Sequence, residues 1–393
     1  MLIRPTEAVV DLSAIAENYR LAVEVGGKPA IGVVKADAYG HGAVAVARTL
    51  VQAGSPLLAV ALVEEAMELR EAGIQAPILV LGAAYGDHYD LLVRHRLTPL
   101  VFTVEHVTRL AEAARRAGNR ATAHLKLETG MGRIGAASQE LPAIADALRA
   151  APEVDLEGVC THFASADLEP RATTERQVKL FAAACETLAR GGIRPRLHHL
   201  ANSAGTLEYP AARQDVTRPG IMLYGYLPFD PARQSPAIRH AAGRLRAALT
   251  WRSAITHLKQ VEAGTPISYG GRWIASRTSR IATVPIGYAD GYPRRLSGRP
   301  GFGRADVLVR GLRAPVAGTV CMDMTMIDVT DVPGVAVGDE VVLLGEQLGA
   351  RIDADELAAK AGTISYEILC AIGKRVPRRH LQAENRLPER SRG

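Results

Sequence analysis

Between residues 30 and 221, short apolar runs rich in β-branched residues alternate with amphipathic helical stretches. Strand-like runs lie at 30–34, 57–61, 77–81, 97–102, 121–127, 154–162, 196–200 and near Asp215, and glycines close several of the helical patterns between them. Strands that alternate with helices imply a parallel sheet, and about eight such units suggest closure into a barrel. A doubly wound open sheet shares this alternation, but no GxGxxG follows a strand, so a dinucleotide-binding version lacks support. From about residue 245 the texture changes to short β-rich runs at 247–259, 279–285, 306–309, 314–320, 326–328 and 340–344, with one helical segment at 353–361. The expected fold class is α/β: a (β/α)8 TIM-type barrel over residues 1–240, followed by a mostly β carboxyl-terminal domain over residues 241–393.

At 393 residues the chain has room for two hydrophobic cores. No uncharged apolar run reaches the roughly 18 residues that a membrane helix needs. The amino terminus lacks the basic region and apolar core of a secretion signal. Cys160, Cys185, Cys321 and Cys370 are scattered without a CxxC pair, which points to reduced, cytoplasmic thiols and no metal site. The net charge of +6 comes from basic residues interleaved with acidic ones; their one concentration, 374–392, reads as a solvated terminus. No RNA-binding, zinc-finger or helix-turn-helix pattern accompanies it, so neither nucleic acid nor membrane is an expected partner.

Lysine is scarce, with seven among the 47 basic residues, at 28, 35, 126, 179, 259, 360 and 374. Arginine cannot stand in for lysine as an imine-forming amine, because its guanidinium stays protonated. Only Lys35 and Lys126 end apolar strand-like runs. Lys35 follows Ile31-Gly-Val-Val34 and opens a loop holding Asp37, Tyr39, His41 and two glycines. In α/β folds ligands sit at the carboxyl ends of strands. A lysine placed there either snorkels to solvent or shifts its pKa and bonds covalently to an aldehyde cofactor.

The other strand ends carry Lys126 through Arg133, His162, Asn202-Ser203 and Arg218-Pro-Gly-Ile221. In a barrel these converge on one face. Ser203 and the backbone amides of Gly220 and Ile221 suit a phosphate, and the first unit supplies an amine. A phosphate site with a strand-end lysine suggests pyridoxal 5′-phosphate (PLP), although aldolases use similar parts.

At this point the chain resembles a known family, the alanine racemases, which are fold-type III PLP enzymes. The resemblance rests on Val-Val-Lys-Ala-Asp-Ala-Tyr-Gly-His-Gly (33–42), Leu-Lys-Leu-Glu-Thr-Gly-Met-Gly-Arg-Ile-Gly (125–135), Thr-His-Phe-Ala (161–164), Ala-Asn-Ser (201–203) and Arg-Pro-Gly-Ile (218–221). In the second domain it rests on Ser-Tyr-Gly-Gly (268–271), Ile-Gly-Tyr-Ala-Asp-Gly-Tyr-Pro-Arg (286–294), Cys-Met-Asp (321–323) and Thr-Ile-Ser-Tyr-Glu-Ile-Leu (363–369). It covers the chain to about residue 380, in family order.

The resemblance implies that Lys35 anchors PLP as a Schiff base and serves as one acid/base. Tyr39, Ser203, Gly220, Ile221 and Tyr366 then hold the phosphate, with Asn202 beside them. Arg218 faces the pyridine nitrogen, His162 supports the ring and Arg218, and Arg133 approaches the phenolic oxygen. Tyr269, supplied by a partner subunit, is the opposite acid/base; Met322 offers an amide to the substrate carboxylate, and Tyr288 lines the entrance. A homodimer with composite active sites follows, acting on alanine and supplying D-alanine for peptidoglycan. A serine-preferring or broad-specificity racemase is the alternative. Lys126, seven residues before Arg133, corresponds to a lysine carbamylated in many relatives. Glu128, where relatives commonly have Asp, and Gly271-Arg-Trp273, beside Tyr269, depart from the family pattern.

The chemistry agrees with these roles. Inverting a Cα centre in place requires a proton taken on one face and returned on the other, hence two bases. A guanidinium at the ring nitrogen donates a hydrogen bond but scarcely yields its proton, which limits charge delocalisation and disfavours transamination.

Overall fold

The structure is a computed structural model that describes residues 3–82, 86–229, 233, 235–298 and 301–382. The chain divides into two compact units. One comprises residues 14–38 and 43–246; the other comprises the residues up to Ser13, the segment Tyr39–Gly42, and those from Ala247 onward.

In the first unit, seven strands pair in chain order and in parallel: Gly32–Val33, Leu58–Val60, Ile78–Val80, Leu97–Val101, Ala121–Lys126, Val154–Cys160 and Leu197–His199. Several are wholly apolar, as in Leu58–Val60 and Ile78–Val80, because a parallel strand is covered on both faces. The chain around Thr217 takes the eighth place. On one side the Asp215 amide donates to the His198 carbonyl (3.1 Å), and on the other Thr217 pairs in parallel with Ala30. There the Thr217 amide donates to Pro29 O (3.0 Å) and the Ile31 amide to Thr217 O (2.8 Å). The sheet therefore closes as a (β/α)8 barrel, and the open-sheet alternative falls away. Tyr19 and Tyr224 reinforce the short first strand by donating to the carbonyls of Ala30 (3.0 Å) and Val33 (2.7 Å).

The helices between the strands follow the sequence periodicity. In Val104–Ala117, the Thr103 hydroxyl caps the start by accepting from the His106 amide (3.1 Å), Gly118 in the left-handed region ends the helix, and Val107, Leu110, Ala111 and Ala114 are buried.

The second unit is built on a sheet ordered Leu312–Pro315, Asp306–Val309, Glu340–Gln347, Leu249–Ala254, Glu7–Asp11, Arg378–Leu381, with Ala350–Ile352 added on Glu340–Gln347. A three-stranded sheet (His257–Val261, Ser279–Val284, Thr325–Asp328) and a short hairpin of Pro266–Ile267 with Trp273–Ile274 complete it. The run at 247–259 is thus two strands in different sheets. The chain switches at Ile255 and Thr256, whose amides donate to Asp339 O (2.9 Å) and Thr283 O (2.9 Å). The run at 314–320 is a strand only to Pro315, followed by an isolated antiparallel bridge from Val316 to Ile327. Glu7–Asp11, too short to announce itself in the sequence, lies antiparallel to Leu249–Ala254 and parallel to Arg378–Leu381. The amino-terminal segment therefore folds with the β-rich unit. Of the basic stretch at 374–392, Arg378–Leu381 is thus a paired strand and not a solvated terminus, and the residues from 383 lie outside the described residues.

Buried Glu7 ties these three strands together through Arg252 (2.6 Å) and Arg379 (3.1 Å). Burial raises its carboxyl pKa, but the hydrogen bonds and charges of the two arginines prevail and leave it below 4.5. Glu7→Gln is expected to lower unfolding stability by about 2 kcal/mol at pH 7. A depressed carboxyl loses its stabilisation as pH falls through its folded-state pKa, so the difference between variant and parent should vanish in urea titrations well below pH 4.5.

Candidate active site

Lys35 stands just past the first barrel strand, half-buried, and begins the turn Lys35–Gly40. Ala36, Asp37, Ala38 and Tyr39 have φ of 53°, 52°, 53° and 53°, a left-handed turn made by four L-residues. Each such residue is disfavoured by about 1–2 kcal/mol, so the surroundings must impose the turn. Two carboxylates do so. Glu65 accepts from the Ala36 amide (2.6 Å) while also accepting from Ala61 (2.7 Å) and Leu62 (3.1 Å) at the start of its own helix. Asp37 accepts from the Ala43 amide (2.7 Å), linking the turn to helix Ala43–Gln52. In sequence, Ala-Asp-Ala-Tyr carries no signal of this conformation.

Arg218 directly follows the barrel-closing residue and is buried. Its Nη1 donates to the His199 carbonyl and to His199 Nδ1 (both 2.6 Å), and its Nη2 donates to Thr161 O (2.7 Å) and Leu200 O (3.2 Å), with His162 Nδ1 at 3.5 Å. Among the described residues, no hydrogen bond runs from Nε. Burial lowers the Arg218 pKa, opposed in part by Cys160. His162 is held well below 6.5, first by burial and then by four cations: Arg218, Lys126, Arg133 and Lys35. Its imidazole is therefore neutral. Positive side chains at the carboxyl ends of the first, fifth and last strands thus converge on the neutral imidazole that follows the sixth.

Two residues before buried Ser203, the Ala201 carbonyl accepts from the Arg218 amide (2.7 Å); the Ser203 Oγ accepts from the amides of Gly220 (2.9 Å) and Met222 (3.4 Å), and Ile221 between them is fully buried. Asn202 is turned to its own helix, Ser203–Glu208, where its Oδ1 accepts from the Gly205 amide (2.9 Å).

Lys126 ends the fifth strand nearly inaccessible, and its Nζ donates only weakly, to Leu127 O (3.3 Å). Burial drives its pKa down to about 8; Arg218 and Arg133 push the same way, while Cys160 and Glu128 oppose. Arg133 is exposed at the end of a loop braced by Glu128, whose carboxylate accepts from the amides of Gly130 and Gly132. The longer Glu side chain thus finds a use here.

In the β-rich unit, the ring of buried Tyr39 lies 6.0 Å from that of Tyr366, and burial raises its pKa, with Tyr366 and Cys370 adding to the shift. Arg378 and His380 anchor the segment by donating to Gly40 O (3.0 Å) and His41 O (2.8 Å). Tyr269, Tyr288 and Met322 form a second group. The amides of Tyr288 and Ala289 donate to the carbonyls of Cys321 (3.0 Å) and Met322 (3.1 Å). A side chain at Gly287 would overlap both carbonyls, so only glycine permits this approach. Thr319 links the group to Tyr269 by donating to its carbonyl (3.0 Å). The side chains themselves are open: Tyr269 is 69%, Met322 51% and Tyr288 41% accessible.

Residues 10–228 match the family model for the alanine racemase N-terminal domain, and residues 248–380 that for the C-terminal domain. The chain belongs to the alanine racemase family. It is accordingly an isomerase of amino acids. It is 47% identical to an alanine racemase of Sorangium cellulosum, covering 95% of this chain and 98% of the relative, and 44% identical to one of Halothermothrix orenii, covering 96% and 97%. A solved alanine racemase structure from Bacillus anthracis with bound L-Ala-P superposes with a TM-score of 0.88 at 37% identity, over 98% of this chain and 96% of that one. The alanine racemase of Clostridium difficile 630 superposes with a TM-score of 0.88 at 35% identity, over 98% and 97%. Membership rationalises the motif order, whereas Glu65, His124, Glu157 and His199 escape any motif. One of them, His124, could have been noticed as a polar residue within a largely apolar barrel strand.

Two stability measurements test this geometry. Ala36 is exposed and in the left-handed region, so Ala36→Gly should raise thermal stability by about 0.5–1 kcal/mol. Lys126→Met should stabilise the cofactor-free protein in carbonate-free buffer by about 3 kcal/mol below pH 8. A depressed lysine leaves the unfolded chain holding more protons between pH 8 and 10.5, so the parent regains stability across that window and the gain should vanish above it.

Proposed function

We propose that this protein interconverts L- and D-alanine with pyridoxal 5′-phosphate, using Lys35 and Tyr269 as bases on opposite faces of the substrate. The observation that carries the reading is the cationic group around neutral His162, which includes a strand-end amine and the guanidinium of Arg218, two residues before the Gly220 amide that is bonded to Ser203. A phosphorylated, aldehyde-bearing ring suits this donor set. Lys35 would bind the aldehyde, Ser203 with the Gly220 and Ile221 amides and the Tyr39 and Tyr366 hydroxyls would hold the phosphate, and Arg218 Nε is the donor still available to a ring nitrogen. When bound, the cofactor withdraws electrons from the substrate Cα and makes its proton acidic. Lys35 Nζ and Tyr269 Oη then take that proton on one face and return one on the other. Arg218 donates to the ring without releasing its proton, which keeps the chemistry on racemisation. Neutral His162 buttresses Arg218, Arg133 approaches the phenolic oxygen, Asn202 fixes the helix that carries Ser203, Met322 offers its amide to the substrate carboxylate, and Tyr288 narrows the entrance.

Lys126 falls between two arginines with a pKa near 8, so a reactive neutral fraction exists at neutral pH. We assign it as carbamylated by carbon dioxide, giving an anion that orients Arg133. An intact-mass increment lost on mild acid treatment supports this, and an unmodified amine in protein kept under bicarbonate refutes it.

The exposed Tyr269, Ile274, Met322 and Met324 support a homodimer in which each subunit lends Tyr269 to the other's barrel. The four free cysteines support a cytoplasmic setting, where D-alanine enters peptidoglycan precursors. Exposed Arg272, three residues from Tyr269, supports a second reading, a broader racemase that also accepts serine; the ratio of kcat/KM for L-serine and L-alanine decides it.

The purified protein should carry visible absorbance of lysine-bound cofactor and erase the circular dichroism of L-alanine; retention of that signal with PLP bound removes the proposal. Lys35→Ala should lose the absorbance, and Tyr269→Phe should keep it while losing activity by about 100-fold or more. Mixing these two inactive variants should restore about a quarter of parental activity, because half the dimers then contain one intact composite site. Sites confined to single subunits would give none.

A further inference from the structure

We infer that Glu157 is a positioning residue for Arg218, acting through the buried pair His124 and His199. The inference deepens the proposed function, since it rests on Arg218 as the partner of the cofactor ring. A continuous chain of hydrogen bonds crosses the barrel: Glu157 Oε2 to His124 Nε2 at 3.1 Å, His124 Nδ1 to His199 Nε2 at 2.8 Å, and His199 Nδ1 to Arg218 Nη1 at 2.6 Å. Both imidazoles are fully buried.

The two ends fix every proton between them. A guanidinium only donates, and an ionised carboxylate only accepts. Arg218 therefore donates to His199 Nδ1, which must carry a lone pair. The proton of neutral His199 then sits on Nε2 and is donated to His124 Nδ1. His124 in turn carries its proton on Nε2 and donates it to Glu157. With both rings neutral and both protonated at Nε2, all links form and none opposes another. Burial and Arg218 hold His199 far below its ordinary pKa, in keeping with a neutral ring.

Local backbone is shaped for this chain. The pairing of strands Ala121–Lys126 and Val154–Cys160 steps from Ala123–Leu156 to His124–Gly158, passing over Glu157. A bulge of this kind re-aims one side chain, and here it turns a carboxylate toward the barrel interior. At the next position a Cβ on Gly158 would lie 2.7 Å from His124 Nδ1, so only glycine leaves room for the ring. Arg196 pairs with the other Glu157 oxygen from the solvent side. Two buried histidines serving packing alone would need neither the bulge nor the carboxylate.

The Glu157→Gln variant tests the chain because an amide has one acceptor and one donor end. Arg196 retains the amide oxygen, so the amide N–H faces His124 Nε2 and demands a lone pair there. The proton of His124 moves to Nδ1, that of His199 to Nδ1, and the chain ends with an N–H directed at the guanidinium. Long-range ¹⁵N–¹H spectra of the cofactor-free full chain should show both histidines protonated at Nε2 in the parent and His199 protonated at Nδ1 in E157Q. In the PLP-loaded protein, kcat for L-alanine should fall about tenfold while KM changes less than about twofold, because substrate contacts are untouched. A parent in which His199 is an imidazolium or protonated at Nδ1 overturns the inference, and so does either change in E157Q without the other. Should E157Q fail to fold, the parent spectrum alone decides. Should the parent take up no PLP, the proposed function fails, while the tautomers still decide whether the chain exists.

Discussion

Everything in the barrel unit depends on one set of backbone hydrogen bonds, those that seat Thr217 between the last strand and the first. A parallel sheet of this kind leaves unpaired amides and carbonyls at both edges unless it closes. The bonds to Pro29, Ile31 and His198 remove those edges. They also bring the first strand, which delivers Lys35, alongside the segment that continues into Arg218 and Gly220. Residues 183 positions apart in the chain thereby become neighbours in strand order.

Closure creates an electrostatic problem and the means to use it. The strand ends gather Lys35, Lys126, Arg133 and Arg218 around one imidazole, with burial working against the charges of Lys126 and Arg218. Arg218 is accommodated because backbone carbonyls of Thr161, His199 and Leu200 accept its protons. Lys126, with one weak bond, yields in pKa instead. An excess of positive charge at these strand ends suits an anionic ligand, and this supports the phosphorylated cofactor of the proposed function. The left-handed turn after Lys35 follows the same logic: the backbone is held in a disfavoured conformation by Glu65 and Asp37, and strain of this sort persists where a functional side chain must be aimed.

Much of this was legible in the sequence. The 3.6-residue periodicity of Val104–Ala117 and the apolar runs at Leu58–Val60 and Ile78–Val80 report burial directly, so strands and helices could be placed within a few residues. Scarcity of lysine and position at a strand end narrowed the candidate imine formers to Lys35 and Lys126 on chemical grounds, because an imine needs an amine that can lose its proton. Motif order then supplied the family. Those features depend on local pattern and on residue chemistry, which a linear text contains.

Other features depend on pairings between distant segments. The chain does not announce that Glu7–Asp11 adds to a sheet built from residues beyond 247, since five residues carry too little pattern to name a partner. Nor does Ala-Asp-Ala-Tyr announce φ near 53°, because that conformation is imposed by a carboxylate 29 residues away. Nothing in the order of letters joins Glu157, His124, His199 and Arg218; a bulge, one glycine and the barrel's curvature do. The sequence by itself determined most of the elements, two candidate amines and the family. Only the tertiary structure decided how the charges are oriented and held, because orientation arises from contacts among residues that the chain keeps far apart.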